Sequence, residues 1–405
     1  MLIQKSIHYV WLDAIRGTAA LYVVCHHAVR QVITVGEHLN DPFYRLLQLL
    51  TLYGHYAVDI FIVLSGYSLM LPVVSRQSFG NVWIFYLRRT IRIVLPYYAA
   101  LMLSLLLVYF LIGEIDGSHW AKVALPVTAD NVLKHLLLIH QWFPEASSKI
   151  NPALWSVGVE YQIYFLFPLL YWVASKIGYL YTFILVTLLS YSLWGISYYL
   201  EIANPSSTGA SLYYCALFFM GMAAAHCVNT NKPTTSSKWF LAIDLHAKKV
   251  AIAAISGFFI LAIVDHLIHR FISAPFFPLQ IQSFLVGFFT SIVLYLKGRG
   301  LINKPKNFML SFIQNKLQWL GVIGFSLYLV HDPMLAIVWK YVVLPLHINA
   351  YWLQTVIELV VGLSASIIVA LLFYRLVELP CHKISKSLIN KDRNWVSKIK
   401  NDYVT

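Results

Sequence analysis

The sequence predicts an all-α polytopic membrane protein of about ten transmembrane helices, on three observations. Hydrophobic residues form 59% of the 405-residue chain and charged residues only 12%, with a mean hydropathy of +0.69; soluble domains carry about 25% charged residues. Apolar stretches of about twenty residues, enough to cross a bilayer core of about 30 Å, recur at 12–34, 55–75, 94–113, 154–175, 179–200, 211–228, 250–268, 278–296, 320–340 and 352–374. With the N-terminus inside, 23 of the 30 Lys and Arg fall on inner segments, the bias that cytoplasmic loops show. An even span count then leaves both termini cytoplasmic.

The net charge of +13 is accounted for by this topology and by attraction to anionic lipid. The basic residues form no single face, so no nucleic-acid partner is expected. One membrane domain is expected over 1–380, followed by a basic cytoplasmic tail at 381–405. The four cysteines stand at unrelated spacings and suggest neither a disulfide framework nor a zinc site.

The first span carries Asp13, Arg16, His26 and His27. Asp13 and Arg16 interrupt the apolar core that a cleavable signal needs, so this helix is expected to be retained. Eleven residues of helix turn through about 1100°, three turns and about 20°, so Arg16 and His27 share a face about 16 Å apart along the axis. His26 falls about 80° away. Ionisable groups inside membrane helices face cavities or bundle interiors, where they do chemistry or carry ions.

The second span holds Asp59, a possible partner for a membrane cation, and the pair Ser65-Gly66, read as a close helix contact. Arg88, Arg89 and Arg92 stand at the cytoplasmic entry to the third span. They fit either a lipid-headgroup anchor or a phosphorylated ligand held by guanidinium forks. The apolar piece 132–140 is too short to span and reads as an interfacial or re-entrant segment of a long outer loop. In that loop Trp120, His140, Trp142 and Glu145 suggest either sugar stacking or an interfacial belt.

The fourth span opens with Trp155 and the intramembrane Glu160, the seventh ends at Asp265, His266 and His269, and the ninth contains His331. The Asp265 group has spacing that a metal could use but no evident fourth ligand, so it is read as a wet interfacial cluster and no metal is assigned. Arg375 and Glu378, three residues apart at the inner end of the tenth span, read as an ion pair.

Taken in order, these segments resemble the acyltransferase-3 family of integral membrane acyltransferases. The likeness covers about Trp11 to Pro380. It rests on Leu-Asp-x-x-Arg-Gly at 12–17 leading to a histidine, Val-Asp-x-Phe-x-Val-Leu-Ser-Gly at 58–66, and Arg-x-x-Arg at 89–92. Leu-Trp-Ser-x-x-Val-Glu at 154–160, Ser-Leu-Tyr-Leu-x-His-x-Pro at 326–333 and Glu-x-Pro at 378–380 complete it. Ala14, Gly158 and Tyr161 depart from a usual glycine, serine and second glutamate, which leaves Glu160 as the only carboxylate of its motif and puts a two-carboxylate scheme in doubt.

The resemblance implies transfer of an acyl group, most often acetyl, from cytoplasmic acyl-CoA as co-substrate to a hydroxyl of an extracytoplasmic carbohydrate such as a surface polysaccharide. No permanently bound cofactor is implied, and the expected setting is the cell (inner) membrane. It matches the family's arginine and histidine to Arg16 and His27, and its donor-binding arginines to Arg89 and Arg92, with Arg88 beside them. His27 is then the expected general base, with Arg16, Glu160 and His331 as catalytic candidates and Asp13, Asp59, Ser65 and Trp155 in support. Whether Glu160 orients His27 or His331 assists it stays open, as does a covalent acyl-enzyme relay. A transporter or flippase of glycans or ions would also bury such groups, although no half-chain repeat is evident.

Overall fold

In the computed structural model the described residues are 10–32, 41–113, 118–200, 212–229, 243–272, 279–302 and 307–388. Among them there are helices and no strands. They are α1 Val10–Gln31, α2 Pro42–Thr51, α3 His55–Arg76, α4 Val82–Ile112, α5 His119–Ala124, α6 Ala129–Leu136, α7 Leu154–Ile177 and α8 Tyr179–Tyr199. The chain continues with α9 Tyr214–Asn229, α10 Ala247–Ile272, α11 Leu279–Gly298, α12 Phe308–Val322, α13 Gly324–Leu346 and α14 Tyr351–Leu388.

Eight helical stretches are long and apolar enough to cross a membrane: α2 with α3, α4, α7, α8, α10, α11, α13 and α14. The other two expected spans are helices of a different character. α1 has the length, at 22 residues, but carries Asp13, Arg16, two histidines and Arg30; α9 is apolar but only 16 residues long. Leu188 and Phe259, on α8 and α10, stay more than 60% exposed, as side chains that face lipid must, since only helices with internally satisfied backbones can border hydrocarbon.

Local chemistry sets several boundaries. The Asp41 carboxylate accepts the Phe43 and Tyr44 amides, each at 3.0 Å, and starts α2. The Asn81 side chain caps α4 in the same way, and Thr128 and Asn131 form a capping box for α6, so orphan amides at each start are satisfied. Small residues set the closest packing. Gly66 of α3 lies on the Phe218 carbonyl of α9, Gly221 of α9 lies on the Val63 carbonyl of α3, and Gly17 of α1 meets Leu317 of α12, so a side chain at any of the three would strike backbone.

The expected re-entrant piece is the end of α6 and the turn after it, folded back between α4 and α7. Tyr97 and Tyr98 donate to the carbonyls of His135 and Leu136, at 3.0 and 2.6 Å, and the Gln162 amide donates to the Leu138 carbonyl at 2.9 Å. The rings of His135 and His140 stack at 3.9 Å. Trp120 and His140 are buried within this fold, so they cannot stack on a sugar; Trp142 remains exposed and donates to Gln162, while Glu145 pairs with Lys134 at 2.8 Å.

Three further expectations are corrected. Glu378 does not pair with Arg375; it accepts the Ser326 hydroxyl and amide, at 2.5 and 3.2 Å, while Arg375 is exposed. Asp265 faces the bundle interior rather than an interface: it is buried, and Gln282 and Tyr53 donate to it at 2.9 and 3.2 Å; the His269 side chain lies outside the described residues. Asp59 is fully buried and, among the described residues, forms no ion pair. It faces α11 near the Ser283 hydroxyl. Residues 389–405 of the expected basic tail also lie outside the described set.

Candidate active site

The polar groups of the membrane helices gather at two levels, joined by the unbroken α1. At the upper level, His27 Nδ1 lies 2.9 Å from Asp332 Oδ1 of α13. A carboxylate oxygen only accepts, so Nδ1 carries a proton, and in the neutral ring Nε2 is then the nitrogen with the free lone pair. The neighbouring His26 turns elsewhere, with Nδ1 2.6 Å from the Thr51 carbonyl. Adjacent histidines on α1 therefore serve different partners, as their helical phase requires.

His331 is completely buried beside this pair, its ring centroid 5.1 Å from that of His27. Its Nδ1 lies 2.8 Å from the Tyr328 carbonyl and 3.2 Å from that of Leu327. Carbonyls force Nδ1 to be the donor, which leaves Nε2 unprotonated and 3.9 Å from Asp332 Oδ1. The His27 side chain keeps 29% of its exposure while that of Asp332 keeps 4%. The His27 imidazole is thus reachable while the carboxylate it meets is shielded. Ligand atoms of His27, His331 and Asp332 lie within 4.8 Å of one another, so the same three residues could bracket a metal ion.

Asp332 is the main member of this candidate site that the motifs alone do not single out. Its signal was present: a carboxylate next to His331 inside an apolar helix is itself an expensive placement. Asn151 is the other. Its amide donates to Ser104 Oγ at 3.0 Å and to the Leu329 carbonyl at 2.9 Å, tying the outer loop and α4 to α13 beside His331.

The lower level is basic. Arg16 binds Asp13 at 2.8 Å and Ser68 at 2.6 Å, and it lies within electrostatic reach of Arg92 and Tyr164. Arg89 lies over the rings of Phe85 and Tyr164, at 5.6 and 5.7 Å, and feels Arg88, Arg92 and Glu160. Glu160 accepts hydrogen bonds from Ser65 and Tyr164, so it belongs with the arginines rather than with His27. Ser65 accordingly makes a polar contact while its neighbour Gly66 provides the packing.

The last turns of α14 complete this level. Arg88 Nε donates to the Ser385 carbonyl at 3.1 Å and Ser385 Oγ donates to the Arg88 carbonyl at 3.2 Å. His382 comes within electrostatic reach of Arg88, Arg89 and Arg92, and of Lys386. Tyr328 stands between the levels, bonded to Ser156 at 2.7 Å and within electrostatic reach of both Glu160 and Asp332. Trp155 stacks on Tyr214 at 6.1 Å and braces α7 against α9.

Residues 9–375 match the family model for the acyltransferase domain of the acyltransferase-3 family. Among characterised proteins, the chain is similar to acyltransferase MdmB of Streptomyces mycarofaciens, with 30% identity over 170 residues. That match spans 41% of this chain and 40% of the relative. No solved structure matches.

Proposed function

Because this chain belongs to the acyltransferase-3 family of membrane acyltransferases, we propose that it transfers an acetyl group from cytoplasmic acetyl-CoA to a hydroxyl of an extracytoplasmic carbohydrate, with His27 as general base. The observation that carries this reading is the His27–Asp332 contact at 2.9 Å. It fixes the tautomer that leaves Nε2 free to accept a proton, as in the histidine–acid pair of other acyl-transfer enzymes.

The charged donor stays at the inner level. Its phosphates match Arg88, Arg89 and Arg92, whose planar forks suit phosphate oxygens. Arg16, about 16 Å from His27 along α1, serves the donor rather than the oxyanion. The thioester arm extends past Tyr328 toward His27. There the acceptor hydroxyl gives its proton to His27 Nε2 as its oxygen bonds to the acyl carbon. The C–S bond then breaks, and the imidazolium, steadied by Asp332, returns the proton to the CoA thiolate. Transfer is direct, so no acyl-enzyme forms. On this reading the enzyme works as a multi-pass protein of the cell membrane, takes its donor from the cytoplasmic side and modifies a surface polysaccharide by O-acetylation; the eight long apolar helices and the excess of Lys and Arg on the inner segments support it.

The test is transfer from radiolabelled acetyl-CoA by the purified protein to a panel of oligosaccharides. Acceptor-dependent labelling is expected for the wild type and should fall to background in His27→Ala, with CoA binding retained. Transfer that persists in His27→Ala would remove the histidine from its role.

A further inference from the structure

We propose that the outer mouth above His27 is an anion subsite, and that the acceptor carries a carboxylate or phosphate close to the hydroxyl that is acylated. This rests on the direction of transfer proposed above and adds the chemical class of the acceptor.

Arg30 lies three residues beyond His27 on α1, about 4.5 Å further along the axis and on a neighbouring part of the same face. It is exposed, and the charge of Asp332 acts on it. The short helix α5 packs against both α1 and α13 at this level. It is held there by the Trp120 amide, which donates to the Gln31 side chain at 3.3 Å. That seat brings His119 within electrostatic reach of Arg30, His27, Asp332 and the exposed Lys122. Burial first, then the charge of Arg30, pushes the His119 imidazole down to about 4. It is therefore a neutral hydrogen-bonding group at pH 7, and Arg30 and Lys122 carry the charge. Asp332, the acid that acts on both Arg30 and His119, is already engaged by His27.

An acceptor that approaches His27 from this side passes Arg30 before its hydroxyl reaches Nε2. A neutral glycan gains nothing from that arrangement. An acidic one gains a charge-assisted fork at Arg30 and steering by Lys122, while its hydroxyl is set one helical turn deeper. The inner arginines cannot supply this contact, because they lie at the other end of α1.

The full chain in lipid nanodiscs tests the subsite with three matched probes: maltotetraose, tetragalacturonate and maltotetraose 6-phosphate. Binding is read by tryptophan fluorescence without donor, and transfer is read with labelled acetyl-CoA. At low salt, at least one acidic probe is expected to bind about tenfold or more tighter than the neutral one, with the advantage shrinking in high salt as screening grows. The uronate and phosphate arms distinguish the two sources of the charge. Arg30→Gln should remove that preference and raise the KM for the acidic acceptor about tenfold, leaving the KM for acetyl-CoA in place; Arg30→Lys should recover part of it. Equal binding of all three probes overturns the proposal, as does an Arg30→Gln effect that is the same for neutral and acidic probes. Failure of the acyltransfer reading looks different: label would reach no probe, or would reach probes equally in His27→Ala, whatever the binding preference.

Discussion

Replacing Asp332 with asparagine keeps the shape of the side chain and removes the charge that faces His27. During transfer the imidazole becomes an imidazolium 2.9 Å, heavy atom to heavy atom, from Asp332 Oδ1. Between charge centres about 4 Å apart in an effective dielectric near 20, that attraction is about 4 kcal/mol, or about three orders of magnitude in rate. Asp332 is buried, so bulk water does not replace the lost charge. Asp332→Asn should therefore lower kcat about 10³-fold while the KM for acetyl-CoA, set at the other level of the site, moves less than threefold. Initial rates with labelled acetyl-CoA, beside a CoA-binding titration, provide the assay. A kcat within tenfold of wild type would refute the orienting role of Asp332. A parallel loss of CoA binding would show that the substitution had disturbed the bundle rather than the base.

Arg92→Gln should raise the KM for acetyl-CoA between about tenfold and a hundredfold, the range for one charged hydrogen bond, with kcat nearly unchanged; steady-state kinetics at saturating acceptor checks it. Exhaustive chelation should leave transfer intact if His27 works as a base. Loss of activity that zinc restores would instead assign His27, His331 and Asp332 to a metal. Burial pushes His135 down to about 4, and burial with the adjacent His135 pushes His140 down to about 2. An unfolded histidine titrates near 6.5, so the unfolded chain binds more protons than the folded one below that pH. The stability that these residues contribute is present above about pH 6.5 and is lost as pH falls below it, at about 1.4 kcal/mol per pH unit for each histidine. Thermal unfolding followed from pH 7 to pH 5 should show that decline, and His135→Gln with His140→Gln should flatten it.

Spans were legible because hydropathy acts over twenty residues at a time, and eight helices of sufficient length and apolarity stand where apolar runs were read. Helical phase was legible too: it separated His27 from His26, and the two rings do turn to different partners. Pairing across the chain was not. Asp332 is 305 positions from His27, and nothing local to either residue specifies the other. Local pairing was misread for the same reason: Arg375 and Glu378 have the spacing of an ion pair, yet Glu378 faces the bundle and meets Ser326, 52 residues earlier. Trp120 and His140 looked available because a loop is usually exposed, but the segment before His140 folds back against Tyr97, Tyr98 and Gln162, and Trp120 packs among Val108, Ile112 and Ala336.

The two hydrogen bonds between Arg88 and Ser385 bear on how the protein can be handled. They form a clasp between the start of α4 and the end of α14, so under the proposed function the closing turns of α14 act as a wall of the donor entrance rather than as a dispensable extension. A truncation after Pro380, or a fluorescent protein fused at that point, would unhook the entrance while leaving most of the apolar bundle in place. A fusion joined beyond Leu388 would preserve it.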